Sequence, residues 1–569
     1  MLPLLLAQLI APPLQNSPIR LPGPDAGQQR PVDKKKPVPV DIQGAPSPDK
    51  PAPTEPPGAQ QPTSAPTQTR PPLLTPQVKG LTVYSPAVLG RILANCGSKA
   101  APADRLKECA ATLTARLVAD GYVNTRVYTE NEPAPGHLEV VEGRVVELRI
   151  KSNDARLARK VQRLLSPLQG SILHLPTIEQ QLQLLKRLPG ITNVRGNLSR
   201  LGSDPAQGVF TVSLQPSSSP WQGEFSIRND GSNGSGEARA VGTLVKPELV
   251  TRGDTLLLYG ELDSDNSPAL GAVISSVSYT FPIVDQLTFT GSFGYSRRNL
   301  IELPDPSAGI STNQFQGLGQ LELVFKDTLS QRWSLFAGFS GNRSNTYLDG
   351  NALPDVVPES VRTPKNGYVR IGINASGLSN QIGWAGNVYL LQGIAGVTPE
   401  QQREELAQAG IYPGAATALG GLVSVGWGFA PTWQLNLRAG GQWGLNPLTN
   451  SMQFTVGSDA GIRGLPGQLI SGDSGWLGTA ETTWTFWQNK SNALQLVPFI
   501  GIGGVQTTLK GVTFSDTVGS GGILARWLAG EDWQVELGWA EQFQTNNNVG
   551  PWTDWALGKG LYAEVKYRF

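Results

Sequence analysis

The chain has 569 residues and a nearly balanced charge, with 46 Lys and Arg against 45 Asp and Glu. Only 16% of its residues are charged, whereas soluble domains typically carry about 25%. A net charge of +1 gives no field that would attract nucleic acid, and two His and two Cys leave little for metal ligation or acid–base chemistry. We therefore expect no nucleic-acid partner, no catalytic residue, no metal and no cofactor, which argues against an enzyme.

The hydropathy of the sequence excludes membrane-spanning helices but not a transmembrane β-barrel. The mean hydropathy is −0.19, and no run of about 20 apolar residues follows the first ten, so the sequence excludes membrane-spanning helices. A transmembrane β-barrel is not excluded, because only alternate residues of its strands face lipid.

Residues 1–77 predict no folded domain. Leu2 to Ile10 form a short apolar run, but no Lys or Arg precedes it, so a signal peptide remnant and a mis-set start are both open. The rest, to about Gln77, is rich in Pro, Gln, Ser and Thr without apolar periodicity, which is typical of a solvated, extended tether. Whether this tether contains a plug helix is left open.

Two α/β modules of similar order follow, over residues 78–143 and 144–216. In the first, the strand-like VKGLTVY precedes helical spacing over Pro86–Asn95 and Asp104–Leu117, and the strand-like NTRVYTE and HLEVVEGRV come next. In the second, the same order recurs in VVELRI, DARLARKVQRLL, TIEQQLQLLKRL, ITNVRGNLS and GVFTVSLQP. A repeat of about 70 residues indicates a duplicated domain.

The repeated order resembles the POTRA domain. The segment Glu139–Ile150, EVVEGRVVELRI, resembles the junction between two such domains in two-partner secretion transporters, and Gly121 and Tyr122 match the start of the strand that follows the second helix. The resemblance implies a three-stranded sheet covered by helices on one face, with an edge that can pair with an extended polypeptide. A pair of spacer domains is the alternative.

The two cysteines both lie in the first module. Cys96 is near the end of its first predicted helix and Cys109 is inside the second. In an exported chain they could form a disulfide, and closing a loop of this size is typically worth roughly 3 kcal/mol. Two buried thiols are the alternative.

From residue 217 to Phe569 the chain consists of segments about ten residues long with apolar residues at alternate positions. In WQVELGW, for example, Trp533 and Leu537 share one face and Glu536 lies on the other. Sixteen such segments begin near Trp221, Gly236, Asp254, Leu270, Gln286, Gln314, Trp333, Tyr368, Trp384, Gly421, Trp433, Thr479, Leu494, Gly519, Trp533 and Leu561. The even count, with short and long connections in alternation, predicts a mainly β protein: a 16-stranded antiparallel outer-membrane barrel over residues 217–569.

The last segment alternates through five apolar positions up to Phe569. It resembles the terminal strand that outer-membrane assembly machinery recognises, with Tyr567 and Phe569 as the signal. A strand that merely happens to lie last is the alternative.

A Gly-rich loop, residues 444–477, lies between the eleventh and twelfth predicted strands. Its segment Ile462, Arg463, Gly464 and Leu465 resembles the mark of the sixth extracellular loop in the outer-membrane polypeptide transporter superfamily, an aliphatic residue, Arg, Gly and an aromatic residue. The resemblance implies that the loop folds back into the barrel as a lid and that its Arg pairs with an inward-facing acid.

Two residues depart from that family pattern. Leu465 is not aromatic, and Gly501 in PFIGIG stands where the family places the inward Asp. Alternation in TAETTWTF puts Glu481 on the lumen face, so we predict that Glu481 pairs with Arg463 instead. Such a pair would contribute on the order of 1 to 4 kcal/mol, depending on how wet the lumen is.

The resemblance covers nearly everything after Gln77 and implies a two-partner secretion outer-membrane transporter of the haemolysin secretion/activation type. Its modules would lie in the periplasm and recognise an unfolded exported partner, a β-helical adhesin or cytolysin, which the barrel would pass to the cell surface. Outer-membrane lipids and the barrel-assembly machinery are further expected partners. The alternatives are an insertase for other barrels and a diffusion porin.

Overall fold

The computed structural model describes residues 40–42, 75–94, 96, 104–132, 136–186, 191–202, 204–216, 221–251, 253–265, 269–302, 309–328, 330–379, 381–544 and 550–569. The predicted signal segment and nearly all of the predicted tether lie outside these residues. The chain divides into two compact units, one over Asp33–Ser218 and another whose described residues lie within Ser219–Phe569.

The first module of the Asp33–Ser218 unit is a three-stranded sheet with two helices. Its elements are β2 (Gln77–Lys79), α1 (Pro86–Leu93), α2 (Arg105–Ala119), β3 (Arg126–Glu130) and β4 (His137–Val141), with strand order β2, β4, β3. Ser85 begins α1 because its hydroxyl accepts a hydrogen bond from the Val88 N–H at 3.4 Å. The predicted strand VKGLTVY is shorter than expected, because Gly80 adopts a φ of +77° that ends the extended chain.

The second module repeats this arrangement with longer strands. It contains β5 (Arg144–Lys151), α3 (Ala155–Leu165), α4 (Leu175–Leu185), β6 (Ile191–Leu201) and β7 (Asp204–Pro216). The short strand β1 (Val40–Ile42) adds to the same sheet, whose order is β1, β6, β7, β5. The two apolar cores are formed mainly by Leu93, Leu113, Leu117, Leu138 and Val140 in the first module and by Val161, Leu165, Ile178, Leu182, Leu198 and Phe210 in the second. The exact domain boundaries stay predictions.

Among the described residues, sixteen strands close into an antiparallel barrel, which confirms the predicted fold class. They are β8 (Gln222–Arg228), β9 (Ala238–Pro247), β10 (Thr255–Ser264), β11 (Leu270–Val284), β12 (Leu287–Asn299), β13 (Ile310–Asp327), β14 (Gln331–Leu348), β16 (Lys365–Leu378), β17 (Ile382–Gly393), β18 (Thr417–Ala430), β19 (Trp433–Gly444), β22 (Ser474–Gln488), β23 (Asn492–Leu509), β24 (Val512–Ala529), β25 (Trp533–Gln544) and β26 (Leu561–Arg568). The connections hold β15 (Asn351–Ala352), β20 (Phe454–Val456), β21 (Ile470–Gly472), α5 (Glu359–Arg362) and α6 (Glu400–Gln408).

The alternation seen in the sequence separates the two faces of the barrel wall. On β25, Leu537 and Trp539 are 55% and 54% exposed, whereas Glu536, which directly precedes Leu537, is 1% exposed. Several strands begin earlier than predicted: β24 begins at Val512 rather than near Gly519, because ladder pairing continues to the hairpin pair Leu509 and Val512, beyond the apolar stretch. No helix of the described residues combines the length and apolar character needed to cross a bilayer.

The barrel closes where its first strand, β8, meets its last, β26, and we call this junction the seam. Residues Glu224–Arg228 pair there with Glu564–Arg568 in an antiparallel ladder. The backbone N–H groups of Gly223 and Phe569 donate to each other's carbonyl oxygens at 3.0 and 3.1 Å, and Tyr567 packs against Trp533 with ring centroids 4.7 Å apart. Tyr567 and Phe569 therefore lie at the seam, and their role as an assembly signal stays a prediction.

Candidate functional site

The loop that joins β19 to β22 contains two short strands, β20 and β21, which pair with each other as an antiparallel hairpin. We call residues 458–467 the tip of the loop. Backbone hydrogen bonds close the tip: the N–H groups of Ser458 and Asp459 donate to the carbonyls of Pro466 and Gly467, both at 2.9 Å. The strand β22 begins at Ser474, so the loop itself is slightly shorter than the predicted range 444–477. A tip tied in this way presents its side chains as a compact unit.

The apolar side chains of the tip pack against the lumen face of the barrel wall. Ile462 and Leu465 are 0% and 1% exposed and lie in a cluster with wall residues that include Val497, Phe499 and Val518. Leu465 thus fills a buried apolar site, although it is not the aromatic residue of the family pattern. The packing holds the loop against the inner side of the wall.

Gly464 brings the loop backbone onto the wall. Its φ is +77°, and a Cβ at this position would lie 2.6 Å from the Cβ of Ala540. A side chain here would be strained by the backbone conformation and would also collide with the wall. Gly464 therefore allows the neighbouring Arg463 to reach the acidic residues of the lumen.

Arg463 contacts three carboxylates, those of Glu481 and Glu536 at hydrogen-bond distance and that of Glu564 on β26 at 3.9 Å. Its Nε lies 2.7 Å from Oε2 of Glu481 on β22, the acid that the alternation predicted, and its Nη1 lies 2.7 Å from Oε2 of Glu536 on β25. Nη1 also donates to the hydroxyl of Tyr562 on β26 at 3.2 Å. One side chain of the loop is thus bound to three strands of the barrel.

A second guanidinium completes the cluster. Arg526 on β24 lies 2.6 Å from Glu536 through Nε and 3.2 Å from Glu481 through Nη2, so two Arg and two Glu alternate. Burial lowers the pKa of Arg463, but the carboxylates of Glu536 and Glu481 more than offset this and raise it well above its ordinary value. The loop residue is therefore held as a cation, and both acids keep a partner in the wall if the loop leaves.

Sequence reasoning missed several members of this cluster. Alternation placed Glu536 on the lumen face, but Glu536 lies 73 residues beyond Arg463, and no local pattern indicates that they meet. Arg526 and Tyr562 carried no signal beyond the same alternation. The gating role of Ile462, Arg463, Gly464 and Glu481 stays a proposal.

The remaining predicted site residues lie in the first module. Cys96 and Cys109 are joined by a disulfide, with Cα atoms 4.9 Å apart and both side chains buried. Within the described ranges, no group of three or more His, Cys, Asp or Glu residues is arranged to hold a metal ion.

Comparison with known proteins identifies relatives of the barrel and of its modules. A sequence model of the family described as haemolysin secretion/activation protein ShlB/FhaC/HecB matches residues 209–521, which is more than half of the chain. The outer membrane transporter CdiB of Dickeya dadantii (strain 3937) is 23% identical over 391 residues, 65% of this chain and 64% of the relative. The alignment therefore spans less than two thirds of that relative's length.

Two solved structures have a similar fold. CdiB from Escherichia coli superimposes with a TM-score of 0.56 at 17% identity, covering 90% of this chain and 93% of that chain. CdiB from Acinetobacter baumannii gives a TM-score of 0.51 at 14% identity, covering 88% and 90%. At these identities the likeness concerns the fold alone.

Proposed function

Because the chain belongs to the haemolysin secretion/activation protein family, we propose that it is an outer-membrane transporter that exports an unfolded partner protein. The barrel lies in the outer membrane and the modules lie in the periplasm. The partner would be captured on the modules and would pass through a lumen that the loop of Arg463 closes. The observation that carries this proposal is the loop packed inside the barrel and bound to its wall through Arg463.

The chain's own backbone supports capture on the second module. The strand β1 pairs in parallel with β6, with Val40, Asp41 and Ile42 opposite Gly196, Asn197 and Leu198. The outer edge of β6 can therefore accept an extended segment. Main-chain hydrogen bonds at such an edge give affinity with little dependence on sequence, which suits an unfolded partner. We propose that the partner pairs with this same edge.

The lid part of the proposal rests on how the charges are distributed. Leaving the wall would cost Arg463 its bonds to Glu481 and Glu536, yet both acids would remain paired with Arg526. A buried carboxylate that loses its only partner is strongly destabilising, typically by about 3 to 5 kcal/mol. Since Arg526 avoids that penalty, the loop can be released without destabilising the barrel.

The remaining partners follow from the family resemblance. The partner protein would be a β-helical adhesin or cytolysin. Its folding outside the cell would make its return through the barrel unfavourable, because a folded domain is more stable than the unfolded chain by about 5 to 15 kcal/mol. The exposed apolar face of the strands would contact outer-membrane lipids, and the strand that ends in Phe569 would be recognised by barrel-assembly machinery. The protein would act as a transporter and not as an enzyme.

Deleting the modules tests the proposal. The chain without residues 78–216 is expressed beside the full chain, together with a large exported protein encoded next to it, and the surface-exposed fraction of that protein is measured. We expect this fraction to fall to background while the barrel itself still inserts. A general defect in other outer-membrane barrels, with export of the partner intact, would instead indicate an insertase.

A further inference from the structure

A second buried ion pair holds the same loop tip. Oδ1 of Asp459, four residues before Arg463, lies 2.8 Å from Nη1 of Arg239 on β9. The Arg239 side chain is fully buried, and its Nη2 also lies 2.7 Å from Oε1 of Glu261 on β10. The tip is therefore bound to the wall by a cation at one point and by an anion at another.

The two points of attachment lie on opposite sides of the seam. The acids bound by Arg463 are on β22 and β25, which lie before the last strand in the order around the barrel. Arg239 is on β9, the second strand, and the loop approaches the same side again where the N–H of Gly467 donates to the carbonyl of Gly231 at 2.9 Å. The tip thus spans the junction of β26 with β8 from the inside.

Of the acids around Arg239, only Asp459 belongs to the loop, and the others are on the wall. Without Asp459, Arg239 would keep Glu261 at 2.7 Å and Asp263 at 3.9 Å, both on β10. Without Glu261, Arg239 would keep Asp459. Removing either acid takes one carboxylate from the same guanidinium, but only the loss of Asp459 removes a contact between the loop and the wall.

We propose that Asp459 is a second positioning residue of the loop and that the Asp459–Arg239 pair anchors the tip to β9. With Arg463 on the other side, the tip is a strap across the inside of the seam, and it is released only when both anchors are freed. This inference rests on the proposed role of the loop as a lid, and it assigns the residue that holds the lid's second end.

The position of the tip can be measured without an export assay. Oγ of Ser458 is buried, and the two native cysteines are joined to each other. A cysteine introduced by Ser458→Cys is therefore the chain's one free thiol, and its rate of reaction with a maleimide in the purified full chain reports whether the tip has left the wall.

Three variants in the Ser458→Cys background test the second anchor. Asp459→Asn should raise the labelling rate by about tenfold or more, because removing one partner of a buried pair shifts an equilibrium by at least that factor. Glu261→Gln is the matched control, since it removes a carboxylate from the same Arg239 but leaves the loop bound. Asp355→Asn, which removes an acid that is 96% exposed from its pair with Arg362, controls for charge alone. Both controls should label like the parent.

Labelling of Asp459→Asn at the parent rate would overturn the proposal, and so would equal acceleration by Glu261→Gln. Asp459→Glu keeps the charge and should restore slow labelling, whereas fast labelling there would indicate a packing role. If the Asn variant does not fold, Asp459→Glu and Glu261→Gln still decide. Slow labelling of both supports the proposal, and faster labelling of Glu261→Gln than of Asp459→Glu would overturn it. Because no export is measured, failure of the transport proposal would appear separately, in the module deletion.

Discussion

Gly501 on β23 lies directly behind Ile462 of the loop: a Cβ at Gly501 would stand 2.9 Å from Cγ2 of Ile462. The family pattern places an inward Asp at this position, and here the aliphatic residue of the loop occupies the space in front of it. The acidic partners of Arg463 lie on other strands instead, at Glu481 on the neighbouring β22 and at Glu536 on β25, two strands away from β23. Ile462 therefore fills the space where the family's Asp side chain would lie, and Glu481 and Glu536 supply the negative charges for Arg463.

Filling the space at Gly501 should loosen the loop. Gly501→Val would push Ile462 from its buried site, and overpacking of this kind costs about 1 to 3 kcal/mol. We expect the Ser458→Cys thiol to label faster in this variant. The control is Gly478→Val on β22, where nothing lies within 4 Å of the added Cβ. Equal labelling of the two variants would show that Ile462 does not hold the loop.

The two arginines of the cluster should differ in their effects. Arg463→Ala should impair export while the barrel inserts normally, because Glu481 and Glu536 keep Arg526. Arg526→Ala should lower barrel stability by about 1.5 to 3 kcal/mol, because it removes charged hydrogen bonds between strands of the wall, while Glu481 and Glu536 keep Arg463. Denaturant midpoints and surface exposure of the exported partner measure the two effects.

Arg332→Ala is the control for both arginine variants. Arg332 forms a half-exposed pair with Glu322 at 3.8 Å, and such pairs contribute about 0 to 1 kcal/mol. Unchanged export in Arg463→Ala would remove the lid role from this residue.

The disulfide should stabilise the first module. Replacing Cys96 and Cys109 together with Ser should lower its free energy of unfolding by roughly 3 kcal/mol, because the unfolded chain regains the freedom of the closed loop. Limited proteolysis of the full chain should then cut between α1 and α2 more rapidly. The barrel, as a separate unit, serves as the internal control and should resist the protease equally in both proteins.

A side chain at Gly223 should open the seam. A Cβ there would lie 2.3 Å from Cζ of the Phe569 ring, so Gly223→Leu must displace this ring, which belongs to the residue whose backbone is hydrogen-bonded to Gly223 at the seam. We expect the barrel to unfold at a lower temperature, measured by its shift in electrophoretic mobility on heating. Gly242→Leu on β9, where the added Cβ meets nothing within 4 Å, should leave the unfolding temperature close to that of the parent.

Joining β1 covalently to β6 should block the edge proposed for capture. Asp41 and Asn197 are direct neighbours in the parallel ladder, and adjacent strands lie about 4.8 Å apart, within the range that a disulfide can bridge. The variant with both residues changed to Cys should export less partner, and a reductant should restore export. Asp41→Cys alone, under the same reductant, controls for reduction of the native disulfide. Normal export by the crosslinked form would place capture elsewhere.

Much of this architecture could be predicted from local pattern. Alternation with a period of two identified sixteen strands and put Glu481 on the lumen face, because the pleat of a strand sends successive side chains to opposite faces wherever it lies. The pattern located the strand ends less well: β24 begins at Val512, before the alternation becomes clear near Gly519. The helices of both modules followed from apolar spacing in the same way.

What the sequence determined by itself was the number of strands, the face that each side chain occupies and the loop that carries Arg463. Only the tertiary structure decided that Glu536, Arg526 and Tyr562 surround this arginine, and that Asp459 reaches Arg239 across the seam. The reason is physical: a face is set by neighbouring residues along one strand, whereas an ion pair depends on ring closure, ladder register and the path of a loop, which join residues far apart in the chain.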